Sequence, residues 1–190
     1  MNRRKWLVVA ALGCLGCIGP VYAQMGMMKM PSIEGIFRPV VGAGAAYLTE
    51  AKNGKKDVME VAIVGKENLE GRDAYWMEYT SNSPEAGGLV YTKMLAATTG
   101  DNVAIERMIF QMPGRPPMEM PAQMFRMQGS SLASDSRKHM VQVGTETVTT
   151  PAGTFSCEHW RRKDGSKDVW ISENVAPWGL VKAVGKWLRW

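Results

Sequence analysis

Residues 144–160 read GTETVTTPAGTFSCEHW. Two β-prone arms meet at one corner. Threonine and valine fill the first arm, and such residues favour a pleated, half-buried surface. At the corner Pro151 fixes φ, Gly153 supplies a permissive turn position, and Phe155 re-enters an extended run. The stretch predicts strands from His139 to Thr150 and from Phe155 to Arg162, joined by a structural corner. Neither arm carries a helical period, so the chain is read as antiparallel β.

The same punctuation continues on both sides. Downstream, Asp164-Gly165 marks a turn, Lys167 to Ser172 the next strand, and a last run starts at Gly179. Upstream, Ala45 to Ala51 and Val58 to Val64 flank Asn53-Gly54, a strong tight-hairpin signal. A turn is expected around Glu67 to Gly71, then an aromatic strand from Ala74 to Thr80. SNSPEAGG (81–88) breaks the chain, and Leu89 to Ala96 follows. Thr99 to Asn102 turns it back into Val103 to Met112. Frequent turn signals with few helical patterns argue an antiparallel sheet or barrel. No repeat of fixed period and no low-complexity tract interrupts it.

The break in this pattern is MPGRPPMEMPAQMFRM, residues 112–127, ahead of a polar segment, GSSLASDSRK. Pro121 suits a first helical position and Gly129 a helix end. At about 100° per residue, Met120, Met124 and Met127 fall on one stripe. A short amphipathic helix is therefore expected between two groups of strands. Its methionines have three possible uses: apolar filler, an adaptable lip for an apolar ligand, or thioether ligands for copper(I).

The amino terminus reads as an export signal. Arg3, Arg4 and Lys5 precede an apolar run from Trp6 to Ile18, too short to span a bilayer. Val21-Tyr22-Ala23 fits the small-x-small cleavage rule, so cleavage is expected after Ala23, giving a periplasmic or secreted protein. Leu15-Gly16-Cys17 resembles a lipidation site, although Cys14 stands where such sites usually carry leucine. An anchor at Cys17 is the alternative location. Removing 1–23 takes away three of 23 basic residues and none of the 18 acidic ones, so +5 falls to +2. That charge gives no case for nucleic-acid binding. Cys157 alone remains of three cysteines, so no internal disulfide is expected. Residues 24–38 read as a flexible lead and 39–190 as a single domain, large enough to hold a core.

GTETVTTPAGTFSCEHW together with DVWISENVAPWGLVKAVG (168–185) resembles a pattern in exported bacterial proteins of the LolA/LolB-like lipoprotein-localisation superfamily. The matching positions are Gly144, Glu146, Val148, Pro151 to Phe155, Trp170, Pro177, and Gly179 to Lys182. The upstream segments IVGKENLEGRDAYWMEY and RMIFQMPGRPPMEMP also look like uncharacterised members. The resemblance implies a curled antiparallel sheet, a half-open β-barrel, with one or two short helices acting as a lid. It also implies a concave cavity for acyl chains. Two features depart from it. No arginine matches the acyl-release arginine of the carriers. The chain stops at Trp190, where relatives carry a further strand.

No catalytic constellation is present. His139 and His159 are the two histidines, Gly-x-Ser-x-Gly is missing, and no glycine-rich phosphate loop occurs. The expected function is that of a non-enzymatic, monomeric binding module for an apolar ligand, lipid or lipoprotein acyl chain. It needs no cofactor, binds no nucleic acid, and would touch the inner or outer membrane transiently. The candidate ligand-binding residues are Met108, Phe110, Met120, Met124, Phe125, Met127, Trp160 and Trp170. Two alternatives stay open. A copper(I) protein would use Met118 and Met120, with Cys157 and His159, two apart on one strand face, as auxiliary ligands. A structural envelope protein would dock a partner through its Trp187/Trp190 end.

Overall fold

The computed structural model describes residues 35–50, 54, 56–99, 102–120, 131–133 and 136–185. They form eleven strands in two antiparallel sheets, with no closed barrel. The first sheet is built from hairpins in chain order. Strand β1 (Gly44–Glu50) pairs with β2 (Lys56–Leu69), β2 with β3 (Arg72–Ser83), and β3 with β4 (Gly88–Thr99). Strand β5 (Asn102–Gln111) follows, and two short strands share it: β6 (Met118–Met120) and β7 (Ser131–Ala133). The second sheet orders β8 (Met140–Thr150), β9 (Gly153–Arg162), β10 (Lys167–Ile171) and β11 (Leu180–Gly185) as a meander.

Thr150 lies opposite Gly153 across the expected Pro151-Ala152 corner. Glu50 lies opposite Lys56, so β1 and β2 form the expected hairpin, joined by the five residues 51–55 where Asn53-Gly54 suggests a two-residue turn. One turn is tighter than expected. β2 runs on to Leu69, and the reversal falls on Glu70 and Gly71, at φ 53° and 81°. Positive φ at both central residues suits the right-handed twist of a hairpin, and Asn68 Oδ1 accepts the Gly71 N–H at 2.9 Å.

The helical expectation is corrected at Met120. It is an extended residue of β6, directly opposite Met108. Met124, Phe125 and Met127 lie outside the described residues. The described helical segments are single 3₁₀ turns, Pro84–Ala86 and Ser136–His139. The polar 129–138 segment contributes β7 and part of the second turn.

The core follows from alternation. Residues directly opposite one another share a sheet face. Ile63, Met77, Met94 and Met108 stand in one cross-strand row, all essentially buried, and Met120 extends it half-buried onto β6. The next row is Val61, Tyr79, Thr92, Phe110 and Met118. In the second sheet Trp160, Val169 and Ala183 are opposite one another, with Ile171 on the same face. Val169, Ile171 and Ala183 are buried. Bulges between Ile63/Gly65, Leu95/Ala96 and Gln142/Gly144 bend the strands.

The two sheets meet where Tyr47 of β1 donates from its hydroxyl to the Leu180 carbonyl of β11, at 3.0 Å. The segment before β1 closes the same end. Ile36 N donates to the Trp178 carbonyl at 2.9 Å and Arg38 N to that of Pro177 at 2.7 Å. Phe37 packs on Trp178 at 4.7 Å between ring centroids and edge-on against Tyr75. Residues 35–38, which composition groups with the lead, therefore belong to the domain. Gly35 is fixed by this docking: a Cβ there would lie 1.9 Å from the Trp178 carbonyl oxygen.

Candidate functional site

The residues singled out from the sequence fall into three places. Met108, Phe110, Met118 and Met120 gather at the β5–β6 end of the first sheet, on its buried face. Exposure rises from β5 to β6 in both rows: Met108 is 1% exposed and Met120 opposite it half-buried, while Phe110 is half-buried and Met118 opposite it is 42% exposed. Flexible thioether side chains thus line a graded apolar margin. Arg107 Nε and Nη2 hold the Glu119 carboxylate at 2.8 and 3.1 Å on the other face of β6, fastening the short strand to β5.

Trp160 stands on the buried face of the second sheet. Its indole N–H donates to Glu158 Oε2 at 2.9 Å, and the Arg137 guanidinium lies 5.3 Å from its ring. Trp170 is on the opposite face, because it pairs with His159 whereas Val169 pairs with Trp160. The two tryptophans cannot line one side of the sheet together.

An open depression of about 560 Å³ lies on the outward face of the first sheet, lined by Leu48, Val58, Leu89 and Tyr91 with Asp57, Glu60 and Glu78. These leucines and Val58 are about half exposed. The depression turns away from the methionine row: Tyr47 and Met59, neighbours of Leu48 and Val58 along their strands, point to the buried face.

The metal alternative is divided between sheets. Met118 and Met120 lie on β6, Cys157 and His159 on β9. Among the described residues no three or more His, Cys, Asp or Glu side chains form a metal-holding group. Cys157 is buried and its thiol donates to the Phe155 carbonyl at 3.6 Å. Burial, with the Glu146 charge adding to it, pushes its pKa up.

Around His159 is a cluster that sequence reasoning missed. Glu146 Oε1 lies 2.8 Å from His159 Nδ1, and Asp168 Oδ1 lies 2.7 Å from Nε2. The Trp170 ring stacks on the imidazole at 4.4 Å and 14°, and its N–H donates to Glu146 Oε2 at 2.8 Å. Arg161 Nε donates to Asp168 Oδ1 at 2.8 Å, and Lys182 Nζ sits 4.6 Å from the Trp170 ring. The Trp170 and His159 hydrogen bonds hold the Glu146 carboxyl below its usual range. Burial works against the Asp168 charge, but hydrogen bonds from His159 and Arg161 together outweigh it, so that carboxyl is lowered too.

No protein-family model matches the chain, and no curated protein matches it. Among solved structures, a "putative lipoprotein" from Parabacteroides distasonis is similar over 82% of this chain and 95% of its own, at 18% identity and a TM-score of 0.39. A likeness of that size supports no inference about ligand or activity. What the structure defines is a class: an open, two-sheet antiparallel β protein.

Proposed function

We infer that this chain is an exported, LolA/LolB-like binding module that reversibly buries an apolar ligand, an acyl chain or lipoprotein lipid, against its curled sheet. One observation carries the reading: the Ile63–Met77–Met94–Met108–Met120 row crosses five strands, buried through Met108 and half-buried at Met120 on β6. The chain then continues into a segment with three more flexible or aromatic apolar residues, Met124, Phe125 and Met127. Unbranched methionines re-pack around varied apolar partners. Burial of each CH₂ contributes about 0.8 kcal/mol, less the cost of ordering the site. The reading requires no covalent step and no cofactor.

The test is uptake of a fluorescent fatty acid by purified protein beginning at Gln24. Saturable uptake is expected in the wild type, and its loss when Met120, Met124 and Met127 are changed together to aspartate. Background uptake in the wild type would refute the reading. Recovery of a periplasmic or secreted chain beginning at Gln24 would support export. A cytosolic chain retaining residues 1–23 would contradict it.

A further inference from the structure

Strand β8 ends the second sheet. It pairs with β9 from Met140 to Thr150, and among the described residues nothing pairs with its other side. The other sheet ends are guarded: β6 and β7 have three residues each, and β1 meets β11 through the Tyr47 hydrogen bond. A bare edge presents a row of backbone donors and acceptors to any strand that fits, and natural sheets shield it with lysine, proline or a bulge. The β8 sequence, MVQVGTETVTT, has no lysine, arginine or proline, and Glu146 is its one charge. Val141 and Val143 are about half exposed, and Thr145, Glu146, Thr147 and Thr149 are exposed too. The bulge between Gln142 and Gly144 shields one end alone. Between that bulge and the Pro151-Ala152 corner, Gly144 to Thr150 is a regular open edge centred on Thr147.

We propose that β8 is a dimerisation edge. Gly144 to Thr150 pairs antiparallel with the same residues of a second copy, across a two-fold axis at Thr147. The product is a symmetric dimer in place of the monomer expected from the sequence. Self-complementarity selects the second copy as the occupant. With the axis at the centre of the open edge, Thr147 faces its own counterpart, Thr145 faces Thr149 of the second copy, and Gly144 faces Thr150. Threonine opposite threonine is a favourable cross-strand pair. The one charge, Glu146, faces the uncharged Val148, so no like charges stand directly opposite. The two Glu146 residues become diagonal neighbours, about 7–8 Å apart, and each is turned back over its own sheet. Its carboxylate accepts the Trp170 indole N–H at 2.8 Å and lies 2.8 Å from His159 Nδ1. On the other face a row of hydroxyls already runs in from β9. Thr149 Oγ1 lies 3.2 Å from Thr154 Oγ1, and Thr147 stands opposite Ser156. The threonines of the second copy extend that row, and the two four-stranded sheets become one.

Sedimentation velocity of protein beginning at Gln24 reads the dimer, and position 147 reports the axis because it faces itself. Wild type is expected to pass from monomer to dimer, and no further, as concentration rises. Thr147→Lys and Thr147→Glu, at an exposed position, each set two like charges opposite one another across the axis. Each should raise the dissociation constant at least about tenfold. An equimolar mixture of the two variants should recover the dimer, since opposite charges then meet, and that recovery also shows that both are folded. A wild type that stays monomeric up to about 1 mM overturns the proposal and leaves the edge to a strand of another protein. Assembly that grows past the dimer overturns it as well. So do single variants that dimerise like wild type, or a mixture that stays monomeric.

Discussion

Replacing Met108 by alanine removes a side chain that is 1% exposed and stands directly opposite Met94 on one side and Met120 on the other. Large-to-small changes at such sites cost about 2–5 kcal/mol, from lost transfer energy plus the void left behind. Both neighbours in the row are methionines, whose unbranched chains can lean into the gap, which favours the lower half of that range. About 2–3 kcal/mol is expected for Met108→Ala. Met118 is two residues from Met120 on the same strand, yet it is 42% exposed, so Met118→Ala should cost below about 1 kcal/mol. Urea unfolding reads both. With a slope near 2 kcal/mol/M, Met108→Ala lowers the midpoint by about 1–1.5 M at unchanged slope. Met108→Leu, which nearly conserves volume, should restore most of it. Equal losses from Met108→Ala and Met118→Ala would refute the graded row and the register behind it.

Gly35→Ala should destabilise by well over about 1 kcal/mol, since the new Cβ meets the Trp178 carbonyl at 1.9 Å. Gly42→Ala, also at positive φ but with open space around it, should cost about 1 kcal/mol by the same urea assay. If the two cost the same, Gly35 is not docked as described. The Glu146 and Asp168 carboxyls titrate lower folded than unfolded, from ordinary values of 4.5 and 3.8. Their contribution is complete above those values and is lost as pH falls through the lowered folded ones. Glu146→Gln should therefore flatten the decline of the urea midpoint below about pH 4.5, and an unchanged decline would contradict the cluster. In protein beginning at Gln24, Cys157 is the sole thiol, buried and with its pKa raised. It should react with a disulfide reagent at least about a hundredfold more slowly folded than in urea, and equal rates would place it at the surface.

The meander was legible wherever a turn carried its own chemistry. Pro151-Ala152-Gly153, Asp164-Gly165 and Asn53-Gly54 each separate the strands that pair across them. The turn expected around Glu67 to Gly71 is present but confined to Glu70-Gly71, because a glutamate at positive φ leaves no compositional trace; the hairpin around it imposes that conformation. β6 and β7, three residues each, are too short to display a period of two, and Pro121 with the Met120, Met124 and Met127 stripe suggested a helix instead. The shared face of Cys157 and His159 was visible, but their surroundings depend on register. Counting back from the 151–152 corner places Glu146 opposite Cys157, and counting back from Asp164-Gly165 places Trp170 opposite His159. The His159 cluster was thus within reach of hairpin arithmetic. The bulge between Gln142 and Gly144 carries a signal too, since an isolated glycine inside a strand marks such a site. The opposite facing of Trp160 and Trp170 follows from the same counting, which hydrophobicity alone does not reveal.

The central claim is that an acyl chain lies against the methionine row. The most direct measurement is a titration of protein carrying ¹³C-methyl methionine with saturated fatty acids of increasing length, followed by methyl NMR. The account predicts saturable shifts at Met108, Met118 and Met120. It also predicts affinity rising about tenfold for every two CH₂ groups added, from about 0.8 kcal/mol each. Methyl signals that stay fixed at these three residues, or that move only at Met25, Met27, Met28 and Met30 in the lead, would contradict it.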